Sequence, residues 1–169
     1  MTADGQWLTF LALLLPFAAA AIAPVLTKAL KHNAAWVLAL APALIFLHFT
    51  GFVGTISSGE TLTGGYVWIP SLSVDFSWFL DGLSVTFALL ITGIGTLIVL
   101  YSGGYLKGHE HQGRFFSFIL MFMGSMLGLV VADSFLTLFV FWELTSITSF
   151  LLIGFDHSRE ASRRAALQA

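Results

Sequence analysis

The run SFLTLFVFWELTSITSFLLIGF, from Ser134 to Phe155, contains a single charged residue, Glu143. About 20 apolar residues are enough for a helix to cross the hydrocarbon core of a bilayer. An acidic residue such as Asp costs about 2.5–3.5 kcal/mol at the centre of a membrane helix. The stretch therefore predicts a transmembrane helix with a costly acidic group near its middle.

The composition of the chain indicates an integral membrane protein. Hydrophobic residues make up 57% of the 169 residues and charged residues only 9%, and the mean hydropathy is +0.91. A soluble domain carries about a quarter charged residues. The chain has no cysteine, which excludes disulfides, thiolate zinc sites and iron–sulfur ligation.

Five apolar runs predict five transmembrane helices, at about residues 7–27, 33–58, 80–105, 115–132 and 134–155. The first is not interpreted as a signal peptide, because the preceding MTADGQ has an acidic residue and no Lys or Arg. The predicted fold class is an all-α integral membrane protein, with a single membrane domain over residues 1–169. The last residues, HSREASRRAALQA, have no cap or glycine stop. This helix-favouring ending indicates a fragment boundary, with a naturally short protein as the alternative, and a sixth helix is expected to start at 158–169.

All basic residues fall on one side of an alternating five-helix path. They follow the first, third and fifth runs: Lys28, Lys31, Lys107, Arg114, Arg159, Arg163 and Arg164. The loops on the other side contain only acidic charges: Asp4, Glu60, Asp75, Asp81 and Asp133. The positive-inside rule then places the N-terminus outside and residue 169 on the cytoplasmic side of the membrane.

The outer loop between the second and third helices has a strand pattern. SLSVDFSW (Ser71–Trp78) alternates polar and apolar residues, and YVWI before Pro70 offers a partner strand. A short extracytoplasmic β-hairpin is the expectation, and an interfacial aromatic belt is a compatible alternative. Asp81 and Asp133 are expected to cap the helices that follow them.

Glu143 is the strongest candidate for a functional residue. Burial disfavours its charged form and a nearby cation favours it, so the group is suited to gain and lose a proton. Intramembrane acids usually mark ion paths or proton relays. The alternative is a protonated structural carboxylate, hydrogen-bonded to another helix. Ser146, Thr145 and Ser149 are candidates for a hydrated pathway beside it, unless their hydroxyls bond their own helix.

Histidines give weaker signals. His48, in the middle of the second predicted helix, is the other ionisable group at membrane depth. A histidine there can relay protons or, more commonly, remain neutral and hydrogen-bonded between helices. His109 and His111 have a spacing compatible with metal chelation, but the loop offers only Glu110 beside them. No metal site and no cofactor are predicted.

Several motifs resemble the antiporter-like membrane subunits, which include Mrp-type multisubunit cation/proton antiporters and the proton-pumping arm of respiratory complex I. VVADSFLTLFVFWELTSITSFLLIGF (Val130–Phe155) is similar to the helix-five signature of this family. FLDGLSVTFALLITGIG (Phe79–Gly95) and LMFMGSMLGLVVAD (Leu120–Asp133) resemble the preceding helices. SGETL and WIPSLSVDFSWFLDGLS resemble the large A subunit of the Mrp type. WELTSITSFLLIGF also favours it, because complex I relatives usually have a glycine-rich stretch after the Trp–Glu pair.

The resemblance implies a multi-helix protein of the bacterial inner membrane, with inverted repeats, a membrane-embedded Glu and a partner Lys on a later helix. Of this Glu and Lys pair, only the Glu has a matching position in this sequence, Glu143, because no Lys occurs at membrane depth before Ala169. The implied function is sodium/proton antiport within a multisubunit complex, with Na⁺, H⁺, the lipid bilayer and other subunits as partners and no nucleic acid. The chain would then not be an enzyme. Alternatives are a proton-translocating subunit of a quinone-linked oxidoreductase, or a non-transporting scaffold.

Overall fold

The computed structural model describes residues 3–72, 74–156 and 160–168. Within them, five helical segments are long and apolar enough to cross a membrane. The helices are α1 (Ala3–Leu30), α2 (Ala34–Thr50), α3 (Val53–Ser57), α4 (Gly82–Tyr105), α5 (Gln112–Val131), α6 (Phe135–Ile153) and α7 (Glu160–Gln168). Two strands, β1 (Leu62–Ile69) and β2 (Val74–Leu80), lie between α3 and α4. The predicted fold class, with five spans and a hairpin, is confirmed.

Four of the spans form a closed ring, and the fifth lies outside it. α1 packs against α2 and α5, and α4 packs against the same two helices from the other side. α6 packs mainly on α5 and is the least buried of the five spans. The helix that carries Glu143 is therefore the peripheral one.

The second span covers Ala34–Ser57, close to the expected 33–58, and contains a short turn. α2 ends at Thr50, and α3 starts at Val53 after a turn at Gly51 and Phe52. The amides of these two residues donate to the carbonyls three residues earlier, His48 and Phe49, at 3.2 and 3.1 Å. Such tight bonds satisfy the backbone where the helix is broken. His48 lies in the last turn of α2, directly before this turn and inside the span.

The hairpin pairs β1 with β2 antiparallel, with Tyr66 opposite Phe76 and Gly64 opposite Trp78. β1 begins at Leu62, earlier than the predicted YVWI segment, while Ser73 lies outside the described residues. Trp78 is fully buried, and a side chain at Gly64 would come within 2.8 Å of its ring. The absent side chain of Gly64 makes room for the indole, so the hairpin closes over a buried tryptophan.

The hairpin is attached to the start of α6. The amide of Asp133 donates to the Ser77 carbonyl at 3.2 Å, and Trp78 forms a β-bridge with Ala132. The prediction that Asp133 caps this helix is wrong, because the hydroxyl of Ser134 accepts the amide of Thr137 instead. The neighbouring Ser134 has the extended backbone that an N-cap requires.

Basic residues meet at the end of the bundle opposite the hairpin. Lys31 and Lys107 line one cavity, and Arg114 and Arg163 line another beside α7. Arg159 lies outside the described residues. This convergence agrees with the alternating path drawn from the charges, while the side of the membrane that each end faces stays a prediction.

Small residues of α5 allow close helix packing. The GSMLG segment contributes Gly124, where a Cβ would come within 3.0 Å of Phe17 and Pro16 of α1. It also contributes Gly128, where a Cβ would overlap the Phe141 ring of α6. The two glycines of the GSMLG segment therefore mediate packing within the bundle. Through two successive turns, α5 packs closely against α1 and α6.

We expect Gly128→Ala to lower the stability of the protein by about 1–3 kcal/mol, because the Phe141 ring has to move away from the added methyl group. Gly104→Ala is the matched control, since nothing lies within 4 Å of the added Cβ and alanine is the better helix former. Unfolding of the detergent-solubilised protein measures both. Equal stability of the two variants would contradict the packing role of Gly128.

Asp81 caps α4 as predicted. Its carboxylate accepts the Ser84 amide at 2.8 Å, and the Ser84 hydroxyl accepts the Asp81 amide at 2.8 Å. This reciprocal arrangement is a capping box, with serine in place of the usual glutamate. The backbone hydrogen bond from Ser84 lowers the pKa of Asp81 from its ordinary value.

We expect Asp81→Ala to destabilise the protein by about 1 kcal/mol at neutral pH. Because the folded-state pKa of Asp81 is lowered, its contribution is complete above the ordinary aspartate value and is lost as the pH falls through the folded value. Unfolding midpoints measured from neutral to acidic pH test this. The difference between wild type and variant should shrink at low pH, and a difference that stays constant down to acidic pH would contradict the capping role of the Asp81 carboxylate.

Candidate functional site

Glu143 lies close to the middle of α6. It is eight residues after Phe135, or about 12 Å along the axis. The buried side of the helix is formed by Thr137, Phe141 and Thr148, which recur at intervals of four and seven residues. Glu143 is exposed on a different side, so it faces outward from the five-span bundle.

The exposed face of α6 is mostly apolar around this carboxylate. Phe139, Ser146 and Phe150 lie on it, four residues before and three and seven residues after Glu143, and all are exposed. Within the described residues, Glu143 has no hydrogen-bond or ion-pair partner. The predicted polar interior face is therefore an outer face of this bundle, because α6 turns its other side towards α5.

Neighbouring hydroxyls bond the backbone of their own helix. Thr145 and Ser146 both donate to the Trp142 carbonyl, at 2.6 and 3.4 Å. Thr148 donates to the Leu144 carbonyl at 2.6 Å. Of the three predicted pathway residues on α6, Ser146 is exposed on the side of Glu143, while Thr145 and Ser149 are half-buried.

His48 joins two helices by a polar contact. Its Nε2 lies 3.1 Å from the hydroxyl oxygen of Thr9, which is fully buried on α1. The Thr9 hydroxyl oxygen also lies 2.9 Å from the Gly5 carbonyl of its own helix. Which group donates in the contact between Thr9 and His48 depends on the tautomer of the imidazole ring. The arrangement is that of a histidine hydrogen-bonded between helices.

The structure does not bring His48 and Glu143 together. α2 packs against α1 and α4, while α6 packs on α5 outside the ring. A groove of about 420 Å³ between α1 and α2 includes His48 among otherwise apolar side chains. The two ionisable groups at membrane depth therefore occupy separate surfaces.

An aromatic cluster not anticipated from the sequence positions α6 relative to the hairpin. Phe76 of β2 contacts Phe10 of α1 at 5.9 Å and Phe141 of α6 at 6.0 Å between ring centroids. Tyr66 adds an edge contact to Phe10 at 5.1 Å. The alternation of polar and apolar residues in β2 indicates that Phe76 and Trp78 share one face of the strand. It does not indicate which helices these rings contact, because that depends on the packing. The cluster borders a groove of about 530 Å³ between α1 and α6.

These features define a multi-pass helical membrane protein with an outward-facing acidic residue at membrane depth. The family described as "NADH-Ubiquinone oxidoreductase (complex I), chain 5 N-terminus" matches residues 67–116, from the hairpin to the start of α5. That match ends before Glu143.

Similarity to antiporter subunits covers most of the chain. The chain is 44% identical over 156 residues to Na(+)/H(+) antiporter subunit A1 of Staphylococcus haemolyticus, and 43% identical over 156 residues to that of Staphylococcus aureus. These alignments cover 92% of this chain but only 19% and 20% of those proteins. The chain thus spans about a fifth of the length of the curated relatives.

Two solved structures share the fold. The Mrp complex from Dietzia sp. DQ12-45-1b matches 94% of this chain and 17% of its own chain, with a TM-score of 0.82 and 33% identity. The archaeal membrane-bound sulfane sulfur reductase matches 93% of this chain and 24% of its own, with a TM-score of 0.72 and 20% identity, and indicates the fold alone. The predicted resemblance is confirmed: in sequence and fold, the chain matches the N-terminal region of Mrp-type A subunits. The two curated relatives are named as antiporter subunits.

We expect Thr9→Val to loosen the packing of α1 on α2 and to cost about 1–3 kcal/mol, because Nε2 of His48 loses its hydrogen-bond partner. Thr86→Val is the control, since the Thr86 hydroxyl bonds only the Gly82 carbonyl of its own helix and is exposed. Thermal unfolding in detergent compares the two variants. A Thr9→Val protein as stable as Thr86→Val would show that the contact contributes little.

Proposed function

We propose that the chain forms the N-terminal membrane region of a subunit of a multisubunit sodium/proton antiporter, in which Glu143 takes part in proton and ion translocation. The observation that supports this most directly is the position of Glu143, exposed near the middle of a membrane span and without a partner in the described chain. The proposed ions, Na⁺ and H⁺, are those in the name of the similar antiporter A1 subunits.

Physical chemistry argues against lipid as the neighbour of Glu143. A charged group facing hydrocarbon is costly, and such residues almost always face protein or a water-filled cavity. The exposed side of α6 therefore requires a further protein element. The relatives are about five times longer than this chain, which leaves ample sequence to provide one.

The element that covers α6 is proposed to carry the lysine that the family resemblance implies. A cation near Glu143 favours the charged carboxylate, and its withdrawal favours protonation. Movement of the lysine or neutralisation of the acid would then couple ion movement to proton uptake. The charge states of the two groups would alternate without any covalent chemistry or cofactor.

Ser146 is the first candidate for a continuation of this pathway, because it shares the exposed side of α6 with Glu143. Thr145 and Ser149 are adjacent and half-buried. Their hydroxyls can exchange a helix carbonyl for water if the covering element leaves a hydrated space. His48 would take part only through a separate route, since it lies on the α1–α2 side of the bundle.

The proposed setting is a bacterial cell membrane, with the other antiporter subunits as partners. The N-terminus and the hairpin would be outside, and the basic end would face the cytoplasm. Complete segregation of Lys and Arg to one side of the predicted path supports this orientation.

We expect Glu143→Gln to reduce sodium/proton exchange at least about a hundredfold while the complex still assembles, because glutamine keeps the shape but cannot carry a proton or a negative charge. Exchange is measured in everted vesicles with a pH-sensitive dye after sodium addition, and assembly by size exclusion. Glu60→Gln, an acid in the loop before β1, is the control and should leave exchange unchanged.

Two results would redirect the assignment. Exchange retained in Glu143→Gln would remove this residue from the mechanism, and loss of assembly in that variant would favour a scaffold role. Activity that requires a quinone and an electron donor would favour the oxidoreductase alternative, which the match to the complex I family supports.

A further inference from the structure

A polar cavity of about 360 Å³ lies at the basic end of the bundle. It is lined by residues at and just after the end of α1, in the loop between α4 and α5, and at the start of α5: Thr27, Lys31, Lys107, Gly108, His109 and Gln112. We call it the basic pocket. It is separate from Glu143, which lies near the middle of the membrane span of α6.

Two tight turns bring the lysines to the basic pocket. Lys31 adopts a left-handed backbone with a φ of 52°, which is unusual for a residue with a side chain. Gly108, directly after Lys107, also has a positive φ, of 80°. The two lysines therefore approach the same cavity from different segments of the chain, although both are exposed enough to remain hydrated.

One of the residues that line the basic pocket is a buried polar residue. Gln112 is 7% exposed, and its amide nitrogen donates to the Gly103 carbonyl of α4 at 3.4 Å. Gln112 also begins α5, whose N-terminus has no side-chain cap. The positive end of that 20-residue helix adds to the field of the two lysines.

The pocket lies at the level expected for lipid headgroups. Tyr101 and Tyr105, on the last turns of α4, are 70% and 74% exposed and stack with their rings 5.7 Å apart. Exposed tyrosines at the end of a membrane span favour the interface between hydrocarbon and water. Lys107 follows Tyr105 by two residues, so the pocket opens next to that interface.

The local charge favours an anion. Glu110 is the acidic residue in the loop that contributes to the pocket, and it is exposed. On the α7 side, Glu160 is paired with Arg164 at 2.6 Å. Lys28 and Arg114 add positive charge on the adjoining segments. Asp156 is a second acidic residue nearby, because it follows Phe155, whose ring centroid lies 5.7 Å from that of His109. Cationic groups still outnumber acidic ones around the pocket, with Lys28, Lys31, Lys107 and Arg114 against Glu110 and Asp156.

We propose that the basic pocket binds the phosphate group of an anionic phospholipid from the leaflet at this end of the bundle. Lys31 and Lys107 contact the phosphate oxygens, and the acyl chains lie along the exposed apolar surface that begins at Leu30. Clustered lysines at a membrane surface attract anionic lipids, and free phosphate would lack the apolar contact. This goes beyond the transport function and does not depend on it.

Lipid binding to the protein purified from its native membrane, with any partner subunits, tests the proposal. Delipidated protein is titrated in detergent with fluorescent phosphatidylglycerol, and with phosphatidylcholine in parallel. We expect the double variant Lys31→Gln, Lys107→Gln to bind phosphatidylglycerol about tenfold more weakly than wild type. The control Lys28→Gln, Arg164→Gln removes the same charge outside the pocket and should change binding less than about twofold.

The outcomes distinguish a specific lipid site from general charge attraction and from phosphate binding. Equal losses in both double variants would mean general surface attraction and would overturn the proposal. Equal affinity for phosphatidylcholine would overturn it as well. If inorganic phosphate alone displaces the lipid at concentrations that leave ionic strength unchanged, the ligand is free phosphate and the lipid assignment fails. Exchange activity of Glu143 variants has no bearing on any of these results.

Discussion

The interior of a bilayer offers no water to complete a hydrogen bond, and this constraint governs the backbone of the whole bundle. Five helices satisfy their own amides and carbonyls, and the break after α2 does so through bonds over three residues. Hydroxyls on α6 donate to carbonyls of the same helix. His48 is satisfied across two helices through Thr9. Among these groups, Glu143 stands out because nothing in the described chain compensates its polarity.

α5 organises the helices around this constraint. Gly124 allows α1 to pack closely against α5, and Gly128 does the same for α6. α5 also packs against α4 and so completes the ring of four spans. The hairpin fixes α6 from the outer end, through Ser77 and through contact of Phe76 with Phe141. With Phe141 held on the inner side, Glu143 two residues later has to face away from the ring. The position of the acid thus follows from packing that does not involve it.

Much of the fold could be predicted from the residues alone. Runs of apolar residues located the five spans, and alternation in SLSVDFSW located the hairpin, because both patterns are local consequences of burial. The exceptions are also instructive. Neither the break after Thr50 nor the choice of Ser134 over Asp133 as a cap can be read from hydropathy, since both depend on backbone geometry.

The amino-acid order alone predicts a protein that spans a membrane, basic residues on one side of the predicted path, and Glu143 near the middle of a span. These properties follow from composition and from the order of apolar and charged residues along the chain. The packing of the helices is needed to see that Glu143 faces outward, that His48 lies on a different surface, and that Lys31 and Lys107 line the same pocket. Such relations depend on which helices are in contact and on how each helix is rotated about its axis, and contacts between residues far apart in sequence determine both.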